Sequence, residues 1–419
     1  MSSPLKFLDL FAGAGGLSEG FIRAGFKPVA HVEADASACF TLKTRQAFHW
    51  LKNNNAINIY SKYLKNEITR QELYGAVPPN EIDSVINEFI GPDTLKTIFK
   101  KVDSQLNNAK LDLIIGGPPC QAYSLIGRAR GNMDDDPRNH LYKYYAEFLK
   151  KYKPKYFVFE NVLGLLTAKD PNDELYFDKM KSLFIETGYS IEYKVLSANE
   201  YGVLQNRKRI ILVGKRGHRG KKSFYPEIEK WTPEATVWDL LKDLPKINAG
   251  GGKPSPLEPI SKPSQWLQDA QISNDLPLTW HEARPHSEQD LEIYKHAVNL
   301  WNNEKRRLHY DDLPEHLKSH KGRNSFVDRF KVVAGDLTAC HTVVAHISKD
   351  GHHYIHPDID QNRSLTPREA ARIQSFPDDY YFENVSGKPA RTSAFKQIGN
   401  AVPVLLAQKI AEKLLKDWE

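Results

Sequence analysis

One repeated pattern constrains the fold more than anything else in the chain. Apolar runs of strand length alternate with stretches whose apolar residues recur at helical spacing. The runs are KFLDLF (6–11), PVAHVEAD (28–35), LDLIIGG (111–117), KYFVFENV (155–162), IEYKVLSA (191–198) and RIILVGK (209–215). Between them lie LSEGFIRAGF (17–26) and HLYKYYAEFLKKY (140–152), both with one apolar face. Strands this apolar need cover on both sides, so the alternation predicts an α/β chain: a layered sheet with helices on both faces. Residues 41–108 read as largely helical and polar, with a break at Pro78 and Pro79.

The texture changes after Lys215. RGHRGKK (216–222) is basic, and GGGKPSPLEPISKP (250–263) is rich in glycine and proline. The stretch to about residue 362 has only short patches of pattern, so it reads as a smaller, irregular domain with long loops. Helix signals return at LTPREAARIQSF (365–376), with Thr366 as cap and Pro367 at the first helical position. The last helix is VPVLLAQKIAEKLLKDW (402–418). The expected division is a catalytic and cofactor-binding domain over 1–215, completed by 391–419, and a small domain over 216–390.

Composition narrows the function classes. At 40% hydrophobic over 419 residues the chain can bury more than one core. A net charge of +6 is compatible with nucleic acid without requiring it. No uncharged run reaches membrane-span length, and the N-terminus lacks a signal-peptide pattern, so a cytoplasmic protein with no membrane partner is expected. Cys39, Cys120 and Cys340 are odd in number and far apart, which suits a reducing compartment and speaks against disulfides or zinc. HHYIH (352–356) has no second ligand group at metal spacing; a solvated loop and no metal are expected.

Three stretches carry chemistry. DLFAGAGGLSEG (9–20) is a glycine turn between a strand and a helix, where Gly13, Gly15 and Gly16 let backbone approach a ligand. Glu33 ends the next strand at the distance where such folds hold ribose hydroxyls, although an acid there is also at home as a solvated group. GGPPCQAYS (116–124) puts Cys120 behind two stiff prolines at a strand end, where open sheets bind ligands. Glu160 sits at another strand end, and QNRKRI (205–210) places Arg207 and Arg209 two apart, on one face of an extended segment. A thiol, an acid and two arginines suit attack on an electron-poor heteroaromatic ring, the alternative being an inert, partly buried cysteine.

DLFAGAGG, GGPPCQAYS, FENV, QNRKR, LTPREAARIQSFPDDY and KQIGNAVP follow one another in the motif order of a known family. The sequence resembles the DNA (cytosine-5) methyltransferases over nearly its whole length. The resemblance implies a Rossmann-like, S-adenosylmethionine-dependent sheet and a DNA-recognition domain. It implies that the cofactor is held by Phe11, Ala12, Gly13, Gly15, Gly16, Leu17, Glu33, Pro118, Asn400 and Val402. Phe11 would lie on the adenine and Asn400 at the methionine end. Cys120 would attack C6 of a flipped cytosine, Glu160 would engage N3 and the amino group, and Arg209 would touch O2. Arg207 would stand near the thiol or the DNA backbone. The loop 124–139 would close over DNA, with Gln121, Ser124, Arg128, Arg130 and Arg329 as DNA contacts.

Tyr123 stands where the family often has phenylalanine, and the insert 46–110 is long. The acid that contacts the adenine amino group stays open between Asp93 and Asp112. The resemblance further implies double-stranded DNA as substrate, a cognate restriction endonuclease as functional partner, and a monomer. RNSFVDRFKVV (323–333) and CHTVVAHISKDGHHYIHPD (340–358) are the expected recognition loops. Two rival classes are a tRNA-directed relative and a DNA-binding regulator with a silent methyltransferase fold. The long 216–362 interval opposes the first, and the intact motifs oppose the second.

Overall fold

The computed structural model describes residues 3–119, 140–257, 259–319 and 327–418. Seven strands form one sheet in the order β3-β2-β1-β4-β5-β7-β6. They are β1 (Lys6–Leu10), β2 (Lys27–Glu33), β3 (Val85–Asn87), β4 (Leu113–Gly116), β5 (Tyr156–Asn161), β6 (Tyr189–Ser197) and β7 (Lys208–Arg216). β1 to β5 pair in parallel, and β7 runs antiparallel to both β5 and β6. Connections leave β1 toward β2 on one side while β4 lies on the other, so a topological switch point opens beyond the carboxyl ends of β1 and β4. That crevice is where open α/β sheets bind ligands.

Period-two alternation sends successive side chains to opposite faces. Phe7, Leu113, Ile115, Val158, Ile211 and Val213 join one core, whereas Leu8, Leu10, Ile114, Phe157, Phe159 and Leu212 join another. The first core is roofed by α1 (Gly16–Arg23), by α2 (Ala36–Asn53) and by the final helix, Val404–Lys416. The second is covered by Leu95–Leu106, Leu141–Tyr152 and Tyr176–Glu186. Helices therefore lie on both faces, as the apolar runs predict. No helix among the described residues is long and apolar enough to cross a membrane.

The stretch 41–108, expected to be largely helical, differs in one respect: it contributes the edge strand β3, only three residues long, after a run of short helices. Beyond β7, regular structure becomes sparse. A third core, built on the helix Glu288–Glu304 with Tyr310, Phe330 and Ile355, stands apart from the sheet.

The helix Pro367–Ile373 starts where the sequence places it, with a capping box between Thr366 and Glu369. Its arginines are buried tie-points. Arg372 donates to both oxygens of Asp243 (2.6 and 3.0 Å) and to both of Asp378 (2.9 and 2.7 Å). Arg363 makes a two-pronged pair with Glu369. Just downstream, Asp379 and Glu383 reach α2: Arg45 Nη1 donates to Asp379 at 2.7 Å, and Thr44 donates to Glu383 at 2.7 Å. Residues 365–383 thus bond both to the stretch after β7, through Asp243, and to α2 in the sheet half.

HHYIH is not a solvated loop. Tyr354 and His356 are buried, and His352 Nδ1 lies 2.9 Å from the Tyr294 hydroxyl. Burial holds His356 as a neutral ring, pushed down to about 3.

Candidate active site

The glycine turn fills the step between β1 and α1. Gly13 has φ +55° and Gly15 φ +82°, both left-handed conformations that favour glycine. Their environments differ. A Cβ on Gly13 would meet nothing within 4 Å, because that side opens into a cavity of about 290 Å³. A Cβ on Gly16 would stand 2.4 Å from the Val402 carbonyl oxygen, so the turn is pressed against the start of the final helix. Gly15 does not line the cavity; its Cβ would point to Leu42 and to the Tyr380 hydroxyl, each at 2.8 Å.

Four strand ends meet at this cavity. From β1 come Asp9 and Phe11, from β2 Glu33, from β4 Gly116, and from β5 Glu160 and Asn161. Ala12, Leu17, Pro118, Asn400 and Val402 line it as well. The double glycine of GGPPC has a packing cause. Cβ atoms at Gly116 and Gly117 would lie 1.9 Å from the carbonyl oxygens of Leu10 and Glu160, so only glycine lets this segment pass between β1 and β5. Asn161 then donates to the Pro118 carbonyl at 3.2 Å, tying FENV to the Pro-Pro step. Pro118 and Pro119 both line the cavity. Cys120, Gln121, Ser124, Arg128 and Arg130 lie outside the described residues, as does the rest of the loop 124–139.

The acids are held in different states. Glu33 accepts from the backbone N–H groups of Gly13 (2.8 Å), Ala34 (2.8 Å) and Asp35 (2.7 Å), which fixes its carboxylate at the rim of the glycine turn. Burial nonetheless raises its pKa. Asp9 is 1% exposed; neither carboxyl oxygen makes a hydrogen bond of good geometry, and the Ser18 hydroxyl is its one weak donor. Burial drives its pKa well above the ordinary value, with the neighbouring Glu33 charge acting in the same direction. A buried carboxyl so weakly paired at a cavity is costly unless a cation or a better donor arrives there.

Glu160 forms an ion pair with Arg209 Nε at 2.6 Å, both side chains being largely shielded. The two arginines of QNRKR part company. Arg207 is 1% exposed and donates to the Val343 carbonyl (2.6 Å) and the Gly399 carbonyl (3.0 Å). Its guanidinium fastens two chain segments, and it does not line the cavity that Arg209 and Glu160 share. The shared-face expectation fails because β7 begins at Lys208, so strand alternation does not extend to residue 207. Gln205 completes the fastening, accepting from Val343 N–H at 2.9 Å and donating to Gln374 at 3.0 Å.

Arg329 pairs with Asp350 at 2.5 Å. Of the acids left open for the adenine amino group, Asp112 accepts from Lys6 N–H at 2.9 Å, and neither it nor Asp93 lines the cavity. Glu88 and Phe89 do, directly after β3. Three strand residues inside a polar helical stretch give no period to detect in the sequence; the one signal is an acid just after β3, parallel to Glu33 at the end of β2.

Comparison with known proteins agrees with this geometry. The profile of the C-5 cytosine-specific DNA methylases matches residues 5–78 and 87–416. The type II methyltransferase M.Bpa9945I of Bacillus paralicheniformis is 40% identical, over 98% of both chains. M1.HphI of Haemophilus parahaemolyticus is 32% identical over 98% of this chain and 87% of its own. The crystal structure of a prophage-encoded methyltransferase (E. coli) superposes with a TM-score of 0.63 at 23% identity, over 99% of each chain, and shares the fold. The chain belongs to the C-5 cytosine-specific DNA methylases and is a DNA (cytosine-5-)-methyltransferase.

Proposed function

We propose that the chain methylates C5 of a cytosine extruded from a specific duplex site, through a covalent bond between Cys120 and C6, as the modification half of a restriction–modification system. The observation that carries the site reading is the meeting of the Glu160–Arg209 pair and the glycine turn in one cavity. The cavity fits S-adenosylmethionine. Phe11, Phe89, Ile90 and Leu17 offer apolar contact, Glu33 and Glu88 offer acceptors for hydroxyl or amino groups, and Asp9 is a weakly paired buried acid suited to a cationic end. Bound there, the cofactor supplies an electrophilic methyl group. Asn400 and Val402 hold its methionine end, and Pro118 flanks it.

The protein's own groups do the remaining work. Glu160, aligned by Arg209, hydrogen-bonds N3 and the exocyclic amino group, drawing electron density from the ring. The Cys120 thiolate then forms a bond to C6, and C5 gains the electron pair with which it takes the methyl group. Loss of the C5 proton expels the thiolate and restores the aromatic ring. Arg209 also holds the base oxygen O2. Gln121, Ser124, Arg128, Arg130 and Arg329 contact the DNA, Arg329 after exchanging Asp350 for phosphate. The region 216–362 reads the sequence, the protein acts as a cytoplasmic monomer, and a cognate endonuclease shares its site without binding it.

Tritium transfer from labelled S-adenosylmethionine tests this directly. Label is expected in duplex DNA as 5-methylcytosine and not in tRNA; label confined to tRNA overturns the substrate assignment.

A further inference from the structure

Tyr380 lies in the segment FPDDYYF, 366 residues from the glycine turn, yet its hydroxyl donates to the Ala14 carbonyl at 2.5 Å. The side chain is 1% exposed and packs on Phe376 (ring centroids 4.7 Å apart), whose ring also abuts Gly16. From the other side Arg45 lies over the Tyr380 ring at 4.8 Å. Arg45 is itself fixed by two bonds to Glu19 (2.9 and 2.6 Å) and one to Asp379 (2.7 Å). Glu19 belongs to α1, the helix the turn opens. The turn thus has two sides: Gly13 and Ala14 line the cavity, while the Ala14 carbonyl and Gly15 rest on a buried tyrosine from the far end of the chain.

We infer that Tyr380 is a positioning residue for cofactor binding: its hydroxyl sets the height of the Ala14–Gly15 backbone, and Gly15, already favoured by its positive φ, leaves room for that hydroxyl and for Leu42. The inference rests on the turn being the S-adenosylmethionine cradle. A carbonyl at Ala14 fixed from behind keeps the peptide between residues 14 and 15 from rotating. The backbone facing the cavity then needs no rearrangement when the ligand arrives, and preorganisation of this kind appears as affinity. Tyr380 reaches the cavity lining only from behind, through Ala14, and does not itself line the cavity, so the chemical step and DNA affinity lie outside its reach.

The test is Tyr380→Phe in the full-length protein, with titration calorimetry against S-adenosylmethionine and steady-state kinetics. Loss of one buried neutral hydrogen bond predicts Kd and KM for S-adenosylmethionine about fivefold higher. Both kcat and KM for DNA should stay within about twofold, as expected when only binding energy common to ground and transition states is removed. A lower melting temperature with unchanged cofactor affinity would make Tyr380 merely structural and overturn the inference. Should the wild-type protein bind no S-adenosylmethionine, the cradle reading itself fails, a different outcome from an unchanged variant. Gly15→Ala, which crowds the same hydroxyl, gives an independent arm. Its affinity loss should shrink when Tyr380→Phe is added, whereas strictly additive losses would contradict the coupling.

Discussion

Replacing Arg207 by lysine separates fastening from catalysis. The guanidinium spans two carbonyls, Val343 O at 2.6 Å and Gly399 O at 3.0 Å, in a site 1% exposed. A lysine ammonium can reach one of them but lacks the planar fork that serves both. A hydrogen bond from a charged donor contributes about 1.5–3 kcal/mol net, and a buried carbonyl left alone costs about 1–3 kcal/mol. Because the freed carbonyl can relax toward another donor, Arg207→Lys should lower stability by about 2–4 kcal/mol. Urea denaturation followed by circular dichroism reads this as a lower midpoint at unchanged slope. Methyl transfer at saturating substrates, below the unfolding range, should stay within about tenfold of wild type, and Arg209→Lys should lose far more. A variant with wild-type stability and methyl transfer reduced ~100-fold would refute the reasoning and return Arg207 to the chemistry.

Further outcomes follow from the same geometry. Gly16→Ala drives a methyl group to 2.4 Å from the Val402 carbonyl oxygen, so S-adenosylmethionine affinity should fall at least tenfold in calorimetry. Arg372→Leu leaves Asp243 and Asp378 buried without their shared cation and should destabilise by about 3–5 kcal/mol in urea titrations. Burial raises the pKa of Asp9 well above, and that of Glu33 above, the ordinary carboxylate value, which shifts both toward protonation relative to a free carboxyl. A cationic ligand favours ionised Asp9, so cofactor affinity should rise with pH and binding should release protons, measurable by calorimetry in buffers of different ionisation enthalpy. His286 and His341 are pushed down to about 4 by burial. Their contribution to stability is fully present above the unfolded histidine value of about 6.5 and is lost as pH falls toward 4. Ring-nitrogen NMR should find both neutral at pH 5.5; charged rings there would contradict the assignment.

Much of this site is legible in the sequence because its residue choices answer local demands. The double glycine at 116–117 is dictated by two carbonyls 1.9 Å from any Cβ, and the turn at Gly13 by its positive φ. Runs such as LDLII and YFVF announce strands covered on both faces, and Thr366 with Glu369 announces a helix start. What escaped depended on partners remote in the chain. Arg207 looks like the twin of Arg209 until Val343 and Gly399 claim it. Glu88 follows a strand too short to show a period. The packing of 365–383 into the sheet half depends on Arg45, Thr44 and the glycine turn, more than 300 residues away. HHYIH looks solvated until Tyr294 covers it.

The central claim is that this cavity presents a cytosine to Cys120 and a methyl donor together. Duplex DNA made with 5-fluorocytosine throughout tests it without knowledge of the recognition site, since fluorine at C5 cannot leave as a proton. With S-adenosylmethionine present, a complex that survives denaturing electrophoresis should accumulate, with its cross-link mapped to Cys120, and Cys120→Ser should form none. Methylation of ordinary cytosine DNA with no trapped complex, or a trapped complex undiminished in Cys120→Ser, would contradict the account.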